Sequence, residues 1–228
     1  MLRIAVLVSG GGTNLQALID AQNRGEIPNG KITLVISSRP DAYALKRAQK
    51  AGIGTKVLRR REFAQQEAYD TALLRLLDEN QTSLVILAGF MTIISGRVIR
   101  AYENRILNIH PSLIPAFCGE GFYGLRVHEA ALARGVRVTG ATVHFVNEIC
   151  DGGPIILQKA VEVKPGDTPE LLQRRVMEQA EWKILPQAVA LFCAGSLQVQ
   201  NGRVEIKAGG WTSTCRHCAS ACVNRPTP

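Results

Sequence analysis

The chain has 228 residues, of which 46% are hydrophobic, and these values fit one large folded domain or one domain with a tail. No stretch approaches the roughly 20 uninterrupted apolar residues of a membrane-spanning helix, and the opening apolar run is too short for a signal peptide, so we expect a cytoplasmic protein. The net charge of +8 and the pI of about 9.4 fit either a nucleic-acid partner or an anionic small substrate.

The densest basic run spans residues 56–61. It lacks the flanking aromatic residues on which single-stranded nucleic acids stack. We therefore expect a solvated face that attracts small anions, and no nucleic-acid partner.

Short apolar segments alternate with helical patterns through the first half of the chain. Strands are predicted at residues 2–8, 32–37, 55–58, 84–88 and 105–109. Helices are predicted between them at residues 14–23, 42–51, 63–79 and 94–102. This alternation is typical of βαβ units, so we expect an α/β fold with a doubly wound, mostly parallel sheet flanked by helices, Rossmann-like in its N-terminal half.

The second half of the chain changes character. Residues 138–146 and 155–163 alternate apolar and polar side chains, which predicts antiparallel or mixed strands. One long helix is predicted over residues 168–192, capped by Thr168 and kinked or broken by Pro186. A hairpin is predicted around Asn201 and Gly202.

The composition turns to Ser, Thr, Cys, Asn and Pro near the end of the chain. We therefore expect one folded domain over residues 1–207 and a disordered tail over residues 208–228. Three of the six cysteines lie in this tail, at positions 215, 218 and 222, without the well-spaced pairs of a zinc site, so no metal is expected. The scattered cysteines are expected to be free thiols: Cys118, Cys150 and Cys193.

A glycine-rich loop, residues 9–14, joins the first predicted strand to the first helix. Its glycines let the backbone approach an anion, the helix N-terminus supplies free N–H groups, and Thr13 and Asn14 add side-chain donors. Leu15 stands where a dinucleotide fingerprint requires glycine, and the Walker Gly-Lys-Ser/Thr sequence is absent. We predict a site for one phosphate of a small molecule rather than for NAD or ATP; the alternative is a tight turn that only caps the helix.

Two polar residues close the predicted strand before Pro111. Asn108 and His110 are two positions apart, so they share a face of the strand at its end. An amide that stabilises an oxyanion and an imidazole that moves a proton are a set that acyl transfer needs. The alternative is that both residues end the strand for purely local reasons.

A later turn carries Asp151 between the predicted strands of the second half. A carboxylate beside His110 would favour the imidazolium and raise the pKa of that histidine. Glu148 is the rival for this role. His144, on the preceding strand, either supports the acid or is purely structural, and we assign no role to His128.

Four ordered segments carry a family resemblance: residues 9–17 (SGGGTNLQA), 88–94 (AGFMTII), 107–117 (LNIHPSLIPAF) and 140–154 (GATVHFVNEICDGGP). Together they resemble the phosphoribosylglycinamide formyltransferases, folate-dependent enzymes of purine synthesis. The resemblance covers roughly residues 1–207. It implies transfer of a formyl group from the co-substrate 10-formyltetrahydrofolate to the amine of glycinamide ribonucleotide, with small-molecule partners and a monomer or homodimer.

The resemblance also assigns residues. It implies a catalytic trio of Asn108, His110 and Asp151. The implied substrate contacts are Gly12, Thr13 and Asn14 at the phosphate and Glu181 at the glycinamide. The implied folate contacts are Met91, Thr92, Ile93, Ile94 and Asn108.

The folate side departs from the family pattern. Thr92 stands where the family usually has arginine, and Gln66 stands where it often has a basic residue. The loop at residues 119–124 is lengthened. Two enzymatic rivals share the trio: methionyl-tRNA formyltransferase, which generally has an additional C-terminal domain, and formyltetrahydrofolate hydrolase, which usually has an extra N-terminal one. We expect neither extra domain here.

Overall fold

The structure is a computed structural model that describes residues 1–207, so the predicted tail lies outside the described residues. The strands are β1 Leu2–Val8, β2 Gly30–Ser37, β3 Gly54–Val57, β4 Leu84–Leu87, β5 Ile106–His110, β6 Val138–Phe145, β7 Ile155–Glu162, β8 Leu197–Gln200 and β9 Arg203–Ile206. The helices are α1 Thr13–Asn23, α2 Tyr43–Lys50, α3 Gln66–Glu79, α4 Gly96–Ala101, α5 Leu125–Arg134, α6 Pro169–Val176 and α7 Trp182–Cys193.

Seven of the strands form one sheet in the order β3-β2-β1-β4-β5-β6-β7. The first five strands in this order are parallel, whereas β6 pairs antiparallel with both β5 and β7. The doubly wound, mostly parallel α/β fold expected from the sequence is therefore confirmed. The predicted hairpin forms as β8 and β9.

The sheet is buried on both faces, as a parallel sheet requires. Along β1, Ile4 and Val6 face a core that includes Leu15 of α1, and this core also takes in the buried faces of α6 and α7. Ala5 and Leu7 face the opposite core, which contains Leu73 and Leu77 of α3. Because both faces are covered, only the strand ends and loops are left to bind ligands.

The long helix predicted over residues 168–192 forms, but Pro186 does not break it. Thr168 Oγ1 accepts a hydrogen bond from the Leu171 N–H at 3.3 Å, which caps the first turn. A π-helical segment, Met177–Glu181, separates α6 from α7, and Pro186 lies inside α7 in the apolar core. Burial of the apolar face of α7 offsets the loss of the backbone hydrogen bond that Pro186 cannot donate.

Helix α4 is shorter than the predicted helix over residues 94–102. It begins where the Ser95 hydroxyl accepts a hydrogen bond from the Val98 N–H at 3.4 Å. Residues 88–95 are therefore free to form the loop that follows β4.

Cys118, Cys150 and Cys193 are free thiols, as predicted. Within residues 1–207, no helix has the length and apolarity needed to cross a membrane.

Gly153 holds the turn that carries Asp151 against the sheet. A Cβ at this position would lie 1.8 Å from the Phe145 carbonyl oxygen, which is rigid backbone.

We expect Gly153→Ala to lower the free energy of unfolding by about 2–3 kcal/mol in urea denaturation. Gly11→Ala is the matched control, because a Cβ at Gly11 meets open space, and an equal loss in both variants would contradict this account.

Candidate active site

The pairing of β5 with β6 brings the polar residues of the predicted site together. Asn108 lies directly opposite His144, and His110 lies opposite Thr142. Residues opposite one another on antiparallel strands share a face, so these four side chains form one polar patch. His110 and His144 are buried, whereas Asn108 is partly exposed.

Asp151 lies across this patch and contacts three of its members. Its Oδ1 accepts a hydrogen bond from Asn108 Nδ2 at 3.3 Å and lies 3.6 Å from His144 Nε2. Its Oδ2 lies 3.4 Å from His110 Nδ1 and accepts a hydrogen bond from the Gly119 N–H at 2.9 Å. Asp151 has a φ of 54°, a left-handed conformation that aspartate tolerates better than most residues.

The rival acid points elsewhere. Glu148 forms an ion pair with Arg100 at 2.6 Å, and both side chains are exposed. Of the two candidate carboxylates, Asp151 is the one that meets His110.

Two opposing effects set the pKa of His110. Burial lowers the pKa of His110 below its ordinary value of 6.5, although Asp151 and the Phe117 carbonyl act in the opposite direction. Burial also raises the pKa of Asp151, but the neighbouring imidazoles of His144 and His110 and the hydrogen bond from the Gly119 N–H outweigh it and leave that pKa below its ordinary value. Asp151 therefore acts on the pKa of His110 in the expected direction, but desolvation is the larger effect, so the net pKa lies below its ordinary value.

The glycine-rich loop leaves the N-terminus of α1 open. Gly12 is the N-cap residue, with a φ of 72°, and no side chain caps the helix. A Cβ on Gly12 would also lie 2.6 Å from the Cβ of Ala44, so both conformation and packing require glycine here. Uncapped N–H groups at a helix N-terminus form a ready anion site.

Arg47 is a residue of this loop region that the sequence reasoning missed. Its Nε donates a hydrogen bond to the Gly11 carbonyl at 2.9 Å, and its Nη1 donates to Gln16 Oε1 at 3.1 Å. The guanidinium therefore adds positive charge beside the loop. A contact between residues 36 positions apart has no local signature in the sequence.

Glu181 and Asn14 lie together beside the loop. Asn14 Nδ2 donates a hydrogen bond to Glu181 Oε2 at 2.6 Å, and Asn14 Oδ1 is buried without a partner among the described residues. Burial raises the pKa of Glu181 to about 7, and Asn14 opposes this shift. Glu181 ends the π-helical segment, a kind of irregularity that is frequent at functional sites.

The predicted folate segment follows β4 and is anchored at one point. The Met91 N–H donates a hydrogen bond to Ser9 Oγ at 2.8 Å. The side chains of Met91 and Ile93 are 54% and 82% exposed, an unusual exposure for large apolar residues in one loop. Ile94 packs against the core of α3 and α4.

Thr92 lines a cavity of about 590 Å³ that also contains Arg39, Arg59, Arg60 and Arg61. The lining of this cavity does not include Asn108, His110 or Asp151. Arg60 is held in place, because its Nε donates to Gln66 Oε1 and its Nη1 to the Phe63 carbonyl, both at 2.7 Å. The basic run expected to be a solvated face therefore forms a cationic wall next to Thr92.

Within residues 1–207, no group of three or more His, Cys, Asp or Glu side chains is arranged to hold a metal ion. An amide, an imidazole and a carboxylate are in contact at the end of β5, and the uncapped N-terminus of α1 follows β1 at the same edge of the parallel sheet. This arrangement suits acyl transfer to or from a phosphorylated molecule.

Comparison with known proteins agrees with this chemistry. The profile of the formyl transferase family, described as "Formyl transferase", matches residues 2–189. The chain therefore belongs to the formyl transferase family.

Relatives within this family are phosphoribosylglycinamide formyltransferases. That of Haemophilus influenzae is 41% identical over 201 residues, which are 88% of this chain and 92% of that protein. The solved structure of glycinamide ribonucleotide transformylase 1 from Symbiobacterium toebii is 47% identical, with a TM-score of 0.85, over 90% of this chain and 94% of that one.

A longer relative contains a similar segment. The bovine trifunctional purine biosynthetic protein adenosine-3 is 47% identical over 203 residues, which are 89% of this chain. The chain spans 19% of the length of that protein.

The buried Glu181 makes stability depend on pH. The pKa of about 7 lies above the ordinary value of 4.5, so the folded state holds the proton over this interval while the unfolded state releases it. Stability from protonated Glu181 is present at low pH and is lost as the pH rises through about 7.

As the pH rises from 5 to 8, we expect the free energy of unfolding of the native protein to fall by about 3 kcal/mol relative to that of Glu181→Gln, as measured by urea denaturation. A native and a variant protein with parallel pH dependence would contradict the assigned pKa.

Proposed function

We propose that the chain transfers the formyl group of 10-formyltetrahydrofolate to the amine of glycinamide ribonucleotide, a step of purine synthesis. The observation that carries this proposal is the contact of Asp151 with both Asn108 and His110. The match to phosphoribosylglycinamide formyltransferases over nearly their whole length supports the same activity. Residues 1–207 are proposed as the catalytic unit.

His110 moves the proton in this proposal. Burial lowers the pKa of His110 and so favours the neutral imidazole, which is the form that can take a proton from the attacking amine. Asp151 then stabilises the imidazolium that forms, and His110 returns the proton to the departing folate nitrogen. In the structure His110 Nε2 lies 2.9 Å from the Phe117 carbonyl oxygen and donates a hydrogen bond to it. For Nε2 to act as the base, the hydrogen must move to Nδ1, which lies 3.4 Å from Asp151 Oδ2, and Nε2 must turn from the carbonyl to the substrate.

Asn108 stabilises the negative charge that develops on the formyl oxygen. A lost oxyanion donor costs about 10²–10³ in kcat, so this contact is a large part of the expected catalysis.

The ribonucleotide binds at the loop and Glu181. The N-terminus of α1 holds its phosphate, with the charge of Arg47 behind it, and Thr13 and Asn14 add donors. Glu181 approaches the glycinamide amine. Its pKa of about 7 allows its carboxyl group to gain or lose a proton near pH 7.

The folate fits the other half of the site. Met91 and Ile93 offer an exposed apolar surface for its ring system, and folate itself supplies the activated formyl carbon. The cationic cavity beside Thr92 is complementary to the carboxylates at the other end of folate. This arrangement compensates for the missing arginine at position 92.

The two rivals are less well supported, because relatives of matching length carry the ribonucleotide activity. The absence of a nucleic-acid partner, the oligomeric state and a cytoplasmic location stay predictions.

The activity is tested with purified protein, glycinamide ribonucleotide and 10-formyltetrahydrofolate, with a control that lacks the amine. We expect formyl transfer well above hydrolysis in the native protein, and a fall in kcat of about 10²-fold in Asn108→Ala. Hydrolysis as fast as transfer would contradict the proposed function and favour the hydrolase.

Arg60 and Arg47 are each expected to contribute to the binding of a different substrate. We expect Arg60→Gln to raise KM for the folate about tenfold and Arg47→Gln to raise KM for the ribonucleotide about tenfold, each with little effect on the other substrate. Each variant is the control for the other in steady-state kinetics. Equal effects on both substrates would refute the division of the site.

A further inference from the structure

A second cavity, of about 480 Å³, lies at the edge of the sheet where the parallel strands begin. Of the residues that line it, Leu2 is the first residue of β1, Ser83 immediately precedes β4, and Arg105 immediately precedes β5. His110, the glycine-rich loop and the loop that carries Met91 lie at or beyond the other ends of these strands. Since ligands of such sheets bind beyond the carboxyl ends of the strands, the proposed reaction does not account for this cavity.

One wall of this cavity is apolar and includes an aromatic pair. Phe145 and Phe192 meet edge to face, with ring centroids 6.4 Å apart and an angle of 61° between the ring planes. Leu197 and Val199 of β8 continue the same wall. A further aromatic ring that packs here would gain both apolar burial and an aromatic contact.

The hairpin of β8 and β9 has an apolar face that is only partly covered. Leu197 pairs with Ile206 and Val199 pairs with Val204, so these four side chains share one face. All four residues are half-buried. Because a two-stranded hairpin is marginally stable by itself, an apolar group that completes the cover of this face would stabilise it.

The described part of the chain ends beside this cavity. The Lys207 N–H donates a hydrogen bond to the Ser196 carbonyl oxygen at 2.9 Å. Ser196 lies between Gly195 and Leu197, and both of these neighbours line the cavity. Trp211 follows Lys207 by four residues, which span at most about 14 Å when extended. The cavity is therefore within reach of the Trp211 side chain.

The sequence that follows Lys207 is suited to enter an apolar cavity. Residues 208–215 carry no charged side chain, and the two glycines before Trp211 allow the chain to turn back. Beyond Lys207, Trp211 is the one residue among Phe, Tyr and Trp. A buried indole N–H usually has an acceptor, and the Ser83 hydroxyl and the Asn104 amide oxygen of the cavity can serve as one.

We propose that this cavity is a docking site for Trp211 of the same chain, which completes the cover of the apolar hairpin face. The tail predicted from the composition then begins after Trp211 rather than after Lys207. The proposal does not depend on the proposed function, because the cavity and the proposed catalytic residues lie at opposite edges of the sheet.

The first test measures the environment of Trp211 by fluorescence. The chain has two tryptophans, Trp182 and Trp211, so the emission of the full-length native protein minus that of Trp211→Phe reports Trp211. We expect emission at a shorter wavelength than that of indole in water, and acrylamide quenching slowed several-fold, because the ring is shielded from solvent. Emission and quenching equal to those of an exposed tryptophan would overturn the proposal.

The same measurement over an approximately hundredfold range of protein concentration tests which chain supplies the ring. A tryptophan that docks on its own chain gives a signal that does not change with concentration. A shielded signal that appears only at high concentration would mean that a second copy supplies Trp211, and it would overturn the proposal.

The second test is thermal unfolding of the full chain. We expect Trp211→Ala to lower Tm by about 3–6 °C, because the apolar burial of the ring is lost. Val223→Ala is the matched control, since it removes an apolar side chain further along the tail, and it should change Tm by less than about 1 °C. In a Val199→Ala background, Trp211→Ala should have a smaller effect, because the two side chains share a contact. A Tm that Trp211→Ala leaves unchanged, or losses that add in full, would overturn the proposal.

Discussion

The Asp151 carboxylate is the constraint on which the rest of the site depends. It is nearly buried, so its charge is costly unless hydrogen-bond donors surround it. Asn108, the Gly119 N–H and two histidines provide that environment. The same contacts fix the amide and both imidazoles, so one charge orders the entire polar patch.

The position of Asp151 depends on a change of strand direction in the sheet. Because β5 runs parallel to β4 but antiparallel to β6, a short connection after β6 can fold back over the face that carries Asn108 and His110. The left-handed φ of Asp151 and the close approach of Gly153 to the Phe145 carbonyl hold that turn down. The geometry of the polar patch is therefore a property of the turn backbone as much as of the side chains.

Sequence patterns predicted what depends on local order. The apolar runs identified the strands, and the spacing of Asn108 and His110 placed both on one face. The contact of His144 with Asn108 depends on the register of β5 against β6, which no local pattern contains. The net pKa of His110 could not be predicted, because the sequence shows its partner Asp151 but not the depth of burial. Helix propensity likewise predicts a break at Pro186, while tertiary packing places the irregularity at Met177–Glu181 instead.

The most direct measurement is an NMR titration of His110 in the native protein and in Asp151→Asn. We expect His110 in the native protein to have a pKa below 6.5, because burial outweighs the carboxylate. We expect a still lower pKa in the variant, because the stabilising charge has been removed. A native pKa above 7, or a pKa that is unchanged by the substitution, would contradict the account.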